Sequence, residues 1–157
     1  LSTMFENDIS RPLATRARPE THEDIIKLAK ERTPLCHAAT VFRKSVVLMA
    51  GNYQHCFQFE DYHLWVRMKL CGAKFYNIQE VLYYVRVSIG TIDRRGGWKY
   101  MVNENKAMYY FYKIGFYSFS DLVRNVVIRS CVRMMPVKFR SRILHWSWYR
   151  QDRNRKR

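Results

Sequence analysis

Two adjacent carboxylates, Glu60 and Asp61, head the stretch Phe59-Glu60-Asp61-Tyr62-His63-Leu64-Trp65-Val66-Arg67, where an apolar-periodic helix begins. Leu64, Met68 and Cys71 recur at helical spacing with Trp65 beside Leu64, and Gly72 stops the run, so one flank is expected to be buried. In a first helical turn, unpaired backbone N–H groups and the helix dipole both favour negative charge. Asp61 is thereby held on a rigid element and expected to stay ionised at neutral pH, the state a general base requires. The competing reading is a capping acid with no chemistry. These residues alone leave both open.

Other chemistry-bearing side chains narrow the choice. His55-Cys56 with His63, joined by Cys36 and His37, would offer zinc the ligand types it prefers, but the spacing fits no zinc module. No Asp-x-Asp pair occurs, and no glycine-rich strand-to-helix turn is present to cradle a phosphate. The four cysteines show no C-x-x-C spacing, and reduced thiols are expected.

The elements that must position these groups follow from the pattern. At 157 residues, 48% hydrophobic and 15% aromatic, the chain can bury one ordinary core and is not disordered. Residues 1–19, with Pro12 and Pro19, read as irregular. Thr21 and Asp24 form a capping-box-like pair opening a helix to about Arg32, before Pro34. Ala38 to Phe42 reads as a short strand, and Lys44 to Ala50 as a short helix stopped by Gly51. Past Gly72, Lys74 to Ile78 and Val81 to Val87 read as strands. Trp98 to about Ile114 is a long helix closed by Gly115, and Ser120 or Asp121 caps another running to Met135 before Pro136.

Around the carboxylates a longer order emerges. Upstream stand Thr33-Pro34-Leu35-Cys36-His37-Ala38-Ala39-Thr40-Val41-Phe42-Arg43-Lys44-Ser45 and Gly51-Asn52-Tyr53; downstream stand Gly72-Ala73-Lys74-Phe75 and Val81-Leu82-Tyr83-Tyr84-Val85-Arg86-Val87. In this register, over roughly residues 30 to 95, the set resembles the acceptor-side half of family 2 glycosyltransferases, in particular those building capsular and exopolysaccharides of the amylovoran type. Arg94-Arg95-Gly96-Gly97-Trp98-Lys99-Tyr100, with Met135-Pro136 and Phe139-Arg140, resembles that subgroup's C-terminal extension.

The resemblance implies an α/β, GT-A (Rossmann-like) glycosyltransferase domain. Its acceptor-side half would span 1–93, with a basic helical extension over 94–157. The nucleotide-binding half and its Asp-x-Asp metal motif have no counterpart here, so the chain reads as the C-terminal part of a longer enzyme and is expected to be inactive by itself. The complete enzyme would move a sugar from a nucleotide-sugar donor, with inversion, to a glycan or lipid-linked saccharide acceptor. Asp61 would be the general base and Glu60 would orient the acceptor. His37 would line the site or be a satisfied structural histidine, and Trp65 would be a sugar-stacking platform or core. Arg86, Arg94 and Arg95 would neutralise the diphosphate, guanidinium forks matching phosphate oxygens, or form a solvated loop paired with Glu80 or Asp93. A divalent metal, Mg or Mn, would be held mainly by the absent motif. Some relatives place a histidine two residues after the Tyr-x-Arg arginine; here Arg86 is followed by Val87-Ser88.

Net charge is +15 and uneven: residues 121–157 carry 11 basic and two acidic side chains, a net +9, against +6 for residues 1–120. On a helical wheel Val123, Val126, Val127, Cys131, Met134 and Met135 share one arc, with Arg124 intruding near its start, while Asn125, Arg129 and Arg133 lie opposite. Beyond Pro136, Trp146, Trp148 and Tyr149 mix with arginines. No apolar run is long enough to span a bilayer. Aromatics and arginines together point to helices lying in an anionic membrane interface, at the cytoplasmic face of the cell membrane. The same helices packed on the catalytic domain are the plainer reading. The rival function is a non-catalytic basic module binding nucleic acid or anionic surfaces; no nucleic-acid-binding motif accompanies the charge, so no nucleic acid is expected.

Overall fold

Every residue from Tyr62 to Met68 is buried, which makes helix Glu60–Leu70 the axis of the molecule. The computed structural model describes residues 1–5, 8–56, 58–87 and 95–143. Its elements in chain order are β1 (Ser2–Phe5), β2 (Ala14–Arg16), α1 (His22–Ala29), a 3-10 turn (His37–Ala39), α2 (Lys44–Met49), α3 (Glu60–Leu70), β3 (Tyr83–Arg86), α4 (Trp98–Lys113) and α5 (Phe119–Met134). This is a mixed α/β arrangement whose sheet runs β2-β1-β3. β1 is antiparallel to β2 and parallel to β3, with Phe5 opposite Arg86. A parallel pair needs a long crossover, which β2 through α3 supplies.

α3 does not bury one flank, as its spacing predicts, but both. Leu64, Trp65 and Met68 pack with Ile25, Leu35, Val47 and Ala50 on one side. Phe59, Tyr62 and Val66 pack with Ala107, Met108 and Phe111 of α4 on the other. A helix covered on two sides is buried nearly all round. Cys71, expected on the buried flank, is exposed at the helix C-cap.

Several local signals hold. Thr21 Oγ1 accepts from Asp24 N at the head of α1, and Gly51 and Gly115 follow α2 and α4 with φ of +78° and +76°. α5 starts earlier than expected, on a Ser118 cap whose box partner is Asp121. Other expectations fail. Residues 1–19 are not irregular but supply β1 and β2, and β1 is wholly buried. Ala38 to Phe42 is no strand: a 3-10 turn occupies its start. Lys74 to Ile78 joins no ladder. Its Asn77 N donates to Glu20 O at 3.2 Å and its Asn77 Nδ2 to Pro19 O at 2.7 Å, so the segment is tied sideways to the chain before α1.

The least expected packing is that of α5. Its polar face points inward. Glu104 of α4, only 2% exposed, receives Arg129 and, at 2.7 Å, Arg133 Nε. Burial raises the Glu104 pKa, but the two guanidinium groups outweigh it and hold the carboxyl below its usual range. Farther along, Asn125 Nδ2 donates to Lys30 O at 2.7 Å and Arg129 to Glu31 O. These carbonyls lie at the end of α1, where unpaired oxygens attract donors and positive charge. Leu122 and Val126 still pack inward, but Phe119, Val123, Val127, Ile128 and Met134 are exposed.

Candidate active site at the head of helix α3

The first turn of α3 carries both carboxylates, and neither is the N-cap: that position belongs to Phe59, which has no side chain able to cap. Glu60 is exposed. Asp61 divides its two oxygens. Oδ1 accepts from Tyr62 N at 2.7 Å, satisfying one of the first turn's unpaired donors, while Oδ2 lies 3.9 Å from His37 Nδ1. The Asp61 side chain is 27% exposed and that of His37 55% exposed, so one carboxylate oxygen is positioned by the helix and the other faces an accessible edge.

His37 starts the 3-10 turn, whose Thr40 Oγ1 donates back to Cys36 O at 2.7 Å. Its imidazole stacks on Tyr53 with ring centroids 5.9 Å apart and meets Trp65 edge-on at 6.2 Å. Trp65 itself is 2% exposed, beneath His37 and Phe42. It is core, and its ring offers no face to a sugar. Its indole Nε1 is buried without a hydrogen-bond partner among the described residues.

Two residues unassigned by sequence reasoning organise the site's flank. Arg67, one turn and a half beyond Asp61 on α3, is buried and grips the loop after α2, donating to Ala50 O and, at 2.7 Å, to Asn52 O. Its Nε donates to His63 Nδ1 at 3.2 Å, and His63 stacks on Tyr110 of α4. Burial, then the Arg67 charge, push the His63 pKa down to about 4, so the imidazole is a neutral acceptor. Within the gripped loop Gly51 and Asn52 both take positive φ, and Tyr53 N donates to Asn52 Oδ1 at 2.8 Å. Burial and then the Asp61 charge raise the Tyr53 pKa. The quoted strings Gly51-Asn52-Tyr53 and Glu60 to Arg67 contained this signal; what joins them is main-chain hydrogen bonding that side-chain spacing does not display.

Two of the three expected phosphate-binding arginines are described. Arg86 ends β3, exposed, with its guanidinium 5.4 Å from the centroid of the Phe5 ring. Arg95 is exposed and its carbonyl accepts from Arg133 Nη1 at 3.1 Å. Arg94 lies outside the described residues, as do Ser88 and Asp93. The two strings of the C-terminal extension meet: Gly97 N donates to Arg133 O at 2.9 Å, and a Cβ on Gly96 would overlap the guanidinium of buried Arg140. Among the described residues no group of three His, Cys, Asp or Glu side chains is placed to hold a metal ion, zinc included.

Comparison with known proteins adds lineage to this geometry. The chain is 38% identical over 123 residues to a UDP-Gal:alpha-D-GlcNAc-diphosphoundecaprenol beta-1,3-galactosyltransferase of Escherichia coli, covering 78% of this chain and 45% of that protein. It is 35% identical over 123 residues to the amylovoran biosynthesis glycosyltransferase AmsE of Erwinia amylovora, covering 76% and 45%. It is 32% identical over 110 residues to an uncharacterized glycosyltransferase of Haemophilus influenzae, covering 70% and 39%. The chain thus spans less than half the length of these curated relatives. No family model and no solved structure matches it.

Proposed function

We propose that this chain is the acceptor-side part of a GT-A type glycosyltransferase, which as a complete protein adds a sugar to a lipid-linked saccharide during surface-polysaccharide synthesis. The observation that carries the reading is Asp61: one oxygen tied to the head of a buried helix, the other directed to an accessible edge beside His37. In the proposed reaction an acceptor hydroxyl attacks the anomeric carbon as Asp61 Oδ2 removes its proton, and the bond to the nucleotide diphosphate breaks on the opposite face. A positioned base contributes ~10²–10⁴-fold to such a step. Glu60, exposed beside Asp61, orients the acceptor, and Arg86, Arg94 and Arg95 oppose the growing charge of the leaving diphosphate. The Mg or Mn ion expected in such enzymes finds no ligand set among the described residues, and no step here is assigned to it. Donor and acceptor of the Escherichia coli relative, UDP-Gal and a diphosphoundecaprenol-linked GlcNAc, are the first to try.

The outward apolar arc of α5 favours seating on an anionic membrane at the cytoplasmic face. Phe119, Val123, Val127 and Met134 are exposed on the segment that also carries most of the excess positive charge. Among the described residues no helix is long and apolar enough to cross a membrane, so the contact is peripheral. Two of the arginines a nucleic-acid reading would need, Arg129 and Arg133, are turned inward onto Glu104.

The test is direct. The complete protein is incubated with UDP- and GDP-sugars and a GlcNAc-diphosphate carried on a short lipid, and products are resolved by mass. Transfer of one hexose supports the reading; absence of transfer from every donor overturns it.

A further inference from the structure

Trp65 being closed off, Tyr53 is an exposed aromatic ring that stacks on His37, the neighbour of Asp61. The ring is 41% exposed and lies nearly parallel to the half-open imidazole of His37, 23° between planes. The loop beneath it is built for the purpose of holding position. Gly51 and Asn52 are consecutive residues at φ of +78° and +55°, a conformation that costs free energy at an asparagine. Buried Arg67 fixes the carbonyls on both sides of Gly51, and Asn52 Oδ1 takes the Tyr53 N–H. The turn closes α2, with Asn52 N donating to Val47 O at 2.9 Å, and together with the Arg67 bonds it fixes where Tyr53 emerges.

We propose that Tyr53, stacked on His37, is the platform on which the apolar face of the acceptor's pyranose ring lies while its hydroxyl meets Asp61. The inference rests on the glycosyl-transfer reading and deepens it by naming the acceptor-sugar subsite. A pyranose presents a face of axial C–H groups that fits an aromatic plane, and its equatorial hydroxyls project from the rim toward polar partners. His37 serves as the second ring of the platform and keeps Tyr53 from rotating. Glu60, exposed in the same first turn of α3, stands ready for a rim hydroxyl. Stacking of this kind is weak, so the subsite orients a ring whose affinity comes mainly from elsewhere.

Saturation-transfer NMR reads such weak binding on the 157-residue chain itself. The probes are the methyl glycosides of N-acetylglucosamine, glucose and galactose at millimolar concentration. At least one should receive saturation, strongest on the ring protons of one face. Tyr53→Ala should weaken binding roughly two- to tenfold, the range aromatic contacts supply, while Tyr53→Phe retains it. Tyr109→Ala, at an exposed tyrosine on α4, should leave it unchanged. The kcat loss expected of Asp61→Asn in the complete protein is a separate readout, so failure of the platform and failure of the base are distinguishable. No transfer to any probe, or equal transfer in Tyr53→Ala, overturns the platform while leaving the Asp61 assignment to its own test. Thermal melting of each variant keeps misfolding from imitating the expected loss.

Discussion

Arg133 Nε lies 2.7 Å from Glu104 Oε2, and this pair, with Arg129 on the same carboxylate, decides which way α5 faces. An amphipathic helix ordinarily turns its apolar stripe to the core. Here a buried acid on α4 and the open carbonyls at the end of α1 attract the arginines and Asn125 instead, and Val123 and Val127 are left outside. The exposed arc is therefore a product of the fold's own electrostatics.

Removing the acid should be costly. Glu104→Gln leaves two guanidinium groups in a dry interface, and breaking a buried pair in this way costs about 3–5 kcal/mol. Urea unfolding followed by tryptophan fluorescence should show the loss. Adding Arg129→Met should recover part of it, with a coupling of at least ~1 kcal/mol in the double-mutant cycle. Strict additivity would mean that the pair does not hold α5.

Acid should loosen the molecule before its carboxylates titrate. His63 is neutral in the fold down to about pH 4, whereas in the unfolded chain it binds a proton near the ordinary histidine value of 6.5. The unfolded state thus holds more protons between those values, and stability should fall by roughly 2–3 kcal/mol as pH drops from 6.5 through 4. His63→Gln keeps an acceptor for Arg67 and removes the titration. Its unfolding midpoint should be flatter across that window; an identical pH profile would dissociate His63 from the effect.

The base assignment has its own measurement. In the complete protein Asp61→Asn should lower kcat by ~10²-fold or more and leave donor affinity nearly unchanged, because proton removal belongs to the transition state. Glu60→Gln should act mainly on acceptor KM. Near-normal kcat in a folded Asp61→Asn variant would reduce Asp61 to a partner for the Tyr62 N–H.

Membrane seating can be read by liposome flotation. Binding should require anionic lipid, with about 1 kcal/mol from each well-placed basic group, should weaken with salt, and should fall when Val123 and Val127, both exposed, become Glu. Trp146→Ala with Trp148→Ala tests the segment beyond the described residues. Equal flotation with neutral vesicles, or none at all, would reject an anionic docking surface.

Helix ends were legible wherever chemistry is local. Thr21 with Asp24, Gly51 and Gly115 each mark a boundary by a bond or a dihedral that involves near neighbours. Of the strands, β3 was legible within Val81 to Val87, but β1 and β2 were not: they are four and three residues long, β2 exists only through its pairing with β1, and β1 is completed by β3, some eighty positions away. The wheel of α5 separated polar from apolar residues correctly but could not say which side would be buried, since the deciding group, Glu104, sits on another helix. At the site, Asp61, Glu60 and His37 were visible by type and order, and His37 does come beside Asp61. Arg67 was hidden because its partners are carbonyl oxygens, which every residue has.

That choice of partner has an evolutionary side. A clamp that holds Ala50 and Asn52 by their backbones is indifferent to the side chain displayed at the next position. Position 53 is then a socket: an exchange of Tyr for His, Trp or Leu would alter what is offered to the incoming ring without reshaping the loop or disturbing α3. Under the proposed function, single substitutions there would retune an acceptor preference, each leaving the Asp61 carboxylate in place.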